Sequence, residues 1–247
     1  MIPHSHPRYY SLSERHALET GMRKGITHVQ GLLAHGRGEA FDYLIGERTT
    51  NEARKAIRAA AAELLLAERP VISVNGNVAA LCPGAVADLA KAIGAKTRVE
   101  VNLFYRSERR VRAIAAELKK FGIIALTAGG KNMARIPGLQ SKRAIVEKGG
   151  IFSSDVVLVP LEDGDRTEAL RRMGKRMIAI DLNPLSRTAQ RANISIVDNI
   201  TRAMPLLVME VKRMRAWKKA RLSRLARSFD NKRNLKASLL IIRRGVR

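Results

Sequence analysis

DVVLVPLEDGDRTEALRRMGKRMIAIDLNPLSRTAQRANISIVDNI, residues 155–200, carries three short apolar runs: Asp155-Val-Val-Leu-Val-Pro160, Met177-Ile-Ala-Ile180 and Ile194-Ser-Ile-Val197. Each is rich in β-branched residues and is separated from the next by a helical or turn segment. Near-continuous apolar strands with no polar alternation are buried on both faces, which is the condition of a parallel sheet covered by helices. Upstream the pattern repeats at Val71-Ile-Ser-Val74, Arg98-Val-Glu-Val-Asn-Leu103 and Ile123-Ile-Ala-Leu126, with helices fitting at 85–93 and 108–121.

The expected fold class is therefore α/β: a Rossmann-like, mostly parallel sheet with helices on both faces, flanked by helical segments at each end. Residues 1–68 read as helical. Ser11 or Ser13 caps a helix through Leu18 and Met22. A second helical stretch spans 27–44. Asn51 caps a third, with Ala53, Ile57, Ala60, Ala61 and Leu64 on one face, and Pro70 ends it. Residues 69–202 form the core. Residues 203–247 are helical and basic, with Met204, Leu207, Val208, Val211 and Met214 on one face and Lys and Arg opposite.

Composition bounds the rest. Of 247 residues 46% are hydrophobic, enough for one large core and too many for a disordered chain. No apolar run nears the roughly 18 residues that cross a bilayer, and the opening Met1-Ile2-Pro3-His4 lacks the apolar segment of a secretion signal. The expectation is a soluble, cytoplasmic protein. A single cysteine, Cys82, excludes an intrachain disulfide and a cysteine-cluster zinc site. The net charge is +24; residues 211–247 alone hold 14 basic residues and one acid, Asp230. Such a tail neutralises nucleic-acid phosphates or is a solvated helical face. Aromatics for base stacking are scarce, at 4%.

In open α/β sheets, ligands bind beyond the carboxyl ends of the strands. Here those ends run into Asn75-Gly76-Asn77, Phe104-Tyr105-Arg106, residues 161–168, Asp181-Leu182-Asn183-Pro184 and Asp198-Asn199. One such end is an ordinary turn; five on one rim point to a polar ligand. Neither a Gly-x-Gly-x-x-Gly fingerprint nor a P-loop is present. The Asn75–Asn77 junction offers backbone amides to an anion. Asp181 is placed to accept from a ribose or to cap a helix, with Arg187, Thr188 and Asn199 near the same edge. In His35-Gly36-Arg37-Gly38-Glu39 the glycines admit a ligand and Arg37 forks onto phosphate or carboxylate, or else pairs with Glu39. His35 is more often a structural histidine than a general base. Asp163 and Asp165 either touch a phosphate-bound magnesium ion or flank an ordinary turn at Gly164.

The strings SHPRYYSL (5–12), GLLAHGRGEAFDYLIGERTT (31–50), VISVNGNVAALCPG (71–84), VEVNLFYRSERRV (99–111), VPLEDGDRTEALRRMGK (159–175) and AIDLNPLSRTAQRANISIVDNI (179–200) resemble the archaeal phosphopantothenate synthetase family over about residues 5–203. The resemblance implies a homodimeric ligase of coenzyme A biosynthesis. Such an enzyme joins 4-phosphopantoate to β-alanine while converting ATP to AMP and pyrophosphate, through a pantoyl adenylate. The implied ATP contacts are Arg15, Arg37, Asp181, Leu182, Asn183, Arg187, Thr188, Asn199 and Ile200. Mg2+ travels on the ATP phosphates, with no metal site of the protein's own. By strand-end position, Asn75, Asn77 and Arg106, with Arg166 in reserve, face phosphopantoate. The segment 127–138, with Lys131, departs from the family pattern, and the tail shows no motif match, so it is expected to be dispensable for the chemistry beyond about Ser223. The rival is a nucleic-acid-binding α/β protein that uses its basic surface; under the ligase reading, nucleic acid is at most an incidental partner.

Overall fold

The computed structural model describes residues 2–161 and 164–245. Three helices lead: α1 (Tyr9–Arg23), α2 (Val29–Leu44) and α3 (Asn51–Leu66). The core follows as β1 (Pro70–Val74), α4 (Gly76–Leu81), α5 (Pro83–Ile93), β2 (Arg98–Val101), α6 (Glu108–Lys119), β3 (Met133–Arg135), β4 (Ile145–Glu147), β5 (Val156–Pro160), α7 (Gly164–Arg172), β6 (Arg176–Ile180), α8 (Arg187–Arg191) and β7 (Ile194–Ile196). Helices α9 (Ile200–Met214), α10 (Lys219–Arg227) and α11 (Asn231–Arg244) close the chain.

The main sheet has the order β2-β1-β5-β6-β7, and every pairing in it is parallel. Side chains alternate between its faces. Ile72, Val74, Leu158, Ile178 and Ile180 point to a large core shared with Ile57 and Leu64 of α3 and Met204, Leu207 and Val211 of α9. Val71, Val157, Val159, Met177 and Ala179 point the other way, onto Ile136, Ile151 and Leu170. Residues of all three stretches of the chain thus meet around one sheet.

Four local expectations are corrected. Helix α1 begins at Tyr9, so Ser11 and Ser13 lie inside it and donate back to the carbonyls of Arg8 and Tyr9. The cap of α3 is Thr50, whose hydroxyl accepts from the Ala53 amide at 3.1 Å, while Asn51 is already helical. The run 123–126 forms no strand of its own. Leu126 makes a single bridge at Glu100, and Ile124 is 92% exposed, because this edge lacks a covering layer. The short antiparallel pair β3–β4 was not anticipated, its runs being only three residues long.

The basic tail is not an appendage. The stripe on α9 is buried as its spacing requires. Leu222 and Ala226 of α10 join the same core, with Trp217 and Phe229 packed against it. Asn231 at the head of α11 donates to the carbonyls of Ala189 and Ala192, both at 3.0 Å, and accepts from the Ser195 amide at 2.8 Å. A cut at Ser223 would divide α10. Among the described residues no helix is long and apolar enough to cross a membrane.

Candidate active site

The chain leaves β1 for β2 on one side and returns to β5 on the other, so the topological switch lies between β1 and β5. A crevice opens beyond their carboxyl ends. Asn75 spans it. Its Oδ1 accepts from the Val78 amide at 3.1 Å, capping α4, and its Nδ2 donates to the Leu161 carbonyl at 3.0 Å. Both ends of the side chain are committed, so Asn75 ties the two sides of the switch together.

Helix α2 crosses this rim on its glycine face. A methyl group at Gly31 would run into Oδ1 of Asn77, whose Nδ2 donates to the Gly31 carbonyl at 2.8 Å. Seven residues on, a Cβ at Gly38 would lie 3.5 Å from Leu182 Cδ1. The glycines near His35 and Arg37 therefore sit inside a helix. Gly38 lets that helix approach the strand ends, whereas Gly36 faces open space. This replaces the picture of a flexible loop around a ligand.

The residues expected at the nucleotide divide by circumstance. Arg37 is exposed and makes no hydrogen bond or ion pair among the described residues, yet its charge reaches the Asp181 carboxyl. Burial pushes that carboxyl up; hydrogen bonds from Ser186 and the Asn183 amide, with Arg37, pull the other way. Asp181 accepts from Ser186 Oγ at 2.5 Å and from the Asn183 amide at 2.9 Å, holding the turn that carries Leu182 and Asn183. Arg187 is exposed and paired with Asp165 at 2.5 Å, while Thr188 is buried. Arg15 forks onto Glu39. Asn199 caps α9 and donates to Glu14 at 3.1 Å and Asp42 at 3.0 Å; Ile200, the first residue of α9, is buried.

Of the residues expected at phosphopantoate, Asn75 and Asn77 lie together at the β1 end. Arg106 is buried and braces the neighbouring loop by donating to the carbonyls of Thr127 at 2.8 Å and Ala128 at 3.2 Å. Arg166 is fully enclosed. It donates to Ser73 Oγ at 2.9 Å and attracts the buried Glu100, so the direct contact held in reserve for it gives way to a supporting place behind β1. Asp163 lies outside the described residues. Lys131 is exposed on the short helical turn before β3. A cavity of about 320 Å³ adjoins the rim, lined by Phe104, Leu139, Asp165, Arg172 and Arg187 among others. Among the described residues no group of three or more His, Cys, Asp or Glu could hold a metal ion.

Folding also assembles a polar network that the motif reading missed. Arg202 bridges Asp42 at 2.5 Å and Asp198 at 2.8 Å; Asp198 also accepts from Thr49 at 2.6 Å. Burial raises the Asp198 carboxyl, against the pull of Arg202 and Thr49. Asp42 follows Gly31, His35 and Gly38 on one face of α2, a signal available in the helical period. Its partner, 160 positions away, was not.

A polar rim at the switch point of a parallel sheet, crossed by a helix carrying an unpaired arginine, defines an α/β protein built for a phosphorylated or nucleotide-sized ligand. The chain belongs to the phosphopantothenate/pantothenate synthetase family, whose model matches residues 52–245. It is 56% identical over 242 residues to a 4-phosphopantoate–β-alanine ligase of Thermococcus kodakarensis, covering 98% of this chain and 92% of that protein. It is 54% identical over 238 residues to one of Methanosarcina mazei, covering 96% and 92%. The family match runs through α10 and α11, so the likeness does not stop near residue 203. Those helices pack into the shared core, and their basic outer faces hid it.

Proposed function

We propose that this chain condenses 4-phosphopantoate with β-alanine to 4'-phosphopantothenate, using ATP and releasing AMP and pyrophosphate. The observation that carries the reading is Arg37. Within a chain of this family, it is an exposed cation without an ion-pair partner on the helix that crosses the switch-point rim, beside Asp181.

A carboxylate is a poor electrophile and must be activated first. Attack of the phosphopantoate carboxylate on the α-phosphorus of ATP forms the adenylate and expels pyrophosphate. The β-alanine amine then displaces AMP. Negative charge grows on phosphate oxygens in the first step, which fixed cations stabilise. Arg37 supplies one, and Arg15, once shared between Glu39 and a phosphate, supplies another. The Asp181–Asn183 turn with Leu182 receives the nucleoside, and Arg187, Thr188, Asn199 and Ile200 frame it. Phosphopantoate lies toward Asn77 and the β1 end, with Arg106 bracing the adjoining loop. Mg2+ arrives on the triphosphate, since the described residues offer it no ligand set. The working form is a homodimer in the cytoplasm.

The test is to incubate the purified protein with ATP, 4-phosphopantoate and β-alanine and follow AMP and the amide product. AMP formation that requires both other substrates is expected; no AMP with all three present overturns the reading.

A further inference from the structure

We infer that His35 is the base that takes the proton from the β-alanine ammonium, with Glu14 as its positioning partner. The inference rests on the ligase reading above. His35 stands between Gly31 and Gly38 on the inward face of α2, and those glycines bring that face against Asn77 and Leu182 at the rim. Its side chain is 12% exposed, and Nε2 lies 3.7 Å from Glu14 Oε2. Nε2 is buried and makes no hydrogen bond. Glu14 is itself fixed by Asn199 at 3.1 Å and Thr201 at 2.5 Å, at the head of α9. An imidazole nitrogen with a spare lone pair, oriented by an anchored carboxylate and facing the crevice, is the arrangement a proton acceptor needs.

The chemistry requires such a group. β-Alanine is an ammonium ion at neutral pH and has no lone pair for attack. His35 Nε2 takes one proton. The freed nitrogen attacks the acyl carbon of the adenylate, the C–N bond forms, and the C–O bond to the AMP phosphate breaks. The nitrogen's second excess proton passes to water, and His35 returns its own to solvent. The titratable and charged groups around the imidazole are Glu14 from α1, Glu39 and Asp42 from α2, Cys82 between α4 and α5, and Asp198 and Arg202 beside the head of α9. The excess of carboxylates favours the imidazolium that forms.

The His35→Gln protein is assayed in three ways: pyrophosphate exchange into ATP with phosphopantoate alone, amide formation from β-alanine, and hydroxamate formation from hydroxylamine, an amine already uncharged at neutral pH. Exchange and hydroxamate formation should persist, while β-alanine turnover falls by on the order of a hundredfold. Loss of all three together, or unchanged β-alanine turnover, overturns the inference. The unmodified enzyme supplies a second measurement. Its kcat/KM for β-alanine should level off above pH ~6.5, the histidine range. A rise continuing toward about 10, where an alkylamine loses its proton, overturns it. Absence of phosphopantoate-dependent exchange in the unmodified enzyme would instead strike the ligase reading itself.

Discussion

Arg15 donates to Glu39 through Nε at 3.0 Å and through Nη2 at 2.8 Å, joining α1 to α2 across 24 positions of sequence. Tyr43 donates to the same carboxylate at 2.7 Å, and Arg8 approaches it at 3.5 Å. Burial pushes the Glu39 carboxyl up, but Tyr43, Arg15 and His35 outweigh it and hold it below its usual range. A depressed carboxyl contributes stability above its unfolded value and loses it as pH falls through the folded one. Glu39→Gln should therefore cost about 1–2 kcal/mol at neutral pH, a figure reduced because Arg15 is exposed. The difference from the unmodified protein should vanish below about pH 4. Urea midpoints at pH 3.5 to 7 check this; a gap that does not depend on pH contradicts it.

Arg37 bonds to no other described residue, so its removal leaves the packing intact. Arg37→Ala should unfold at the same temperature as the parent while ligase turnover falls about a hundredfold, the scale of one charge-stabilising group. Melting curves beside AMP release decide it, and near-normal turnover removes Arg37 from the phosphates.

Glu100 carries the opposite pH signature. It is fully buried on β2, accepts from the amides of Glu147 at 3.0 Å and Ile151 at 2.7 Å, and burial lifts its carboxyl to about 7. The unfolded chain releases that proton near pH 4.5. Between those values the folded state binds more protons, so stability falls as pH rises, by up to ~1.4 kcal/mol per pH unit, and flattens above. Glu100→Gln should lack this slope. Parallel curves for the two proteins between pH 5 and 7 would show that Glu100 is ionised throughout.

At the far end of the sheet, Asn231 ties α11 to the end of α8 and the start of β7 through four polar contacts. Asn231→Ala leaves buried carbonyls without donors and should cost about 1–3 kcal/mol. Because α8 begins at Arg187 and Thr188, the KM for ATP should rise as well. Leu222→Ala in α10 should cost ~2–5 kcal/mol by the cavity it leaves, with KM unchanged. If both variants lower stability equally and neither moves KM, α11 does not support the nucleotide edge.

What the sequence determined by itself is the part that depends on local period. Two-face burial of runs such as Val156–Pro160 and Arg176–Ile180 follows from their unbroken apolar character, and the buried face of α9 follows from Met204, Leu207 and Val211 at helical spacing. Strand ends rich in Asn and Asp marked the rim, because a parallel sheet puts all its carboxyl ends on one side. Caps slipped by a residue, as at Thr50, where neighbouring side chains compete for the same amide. Only the tertiary structure decided which polar groups are spent. Asn75 and Arg106 are absorbed by backbone carbonyls, Arg166 is closed in behind β1, and Glu39 claims Arg15, while Arg37 and His35 Nε2 keep their bonding capacity. Those outcomes turn on contacts between residues far apart in the chain, such as Asp42 with Arg202 and Leu222 with the core under α3. No local pattern encodes them, since hydrogen-bond partners and buried neighbours exist only once the layers have packed.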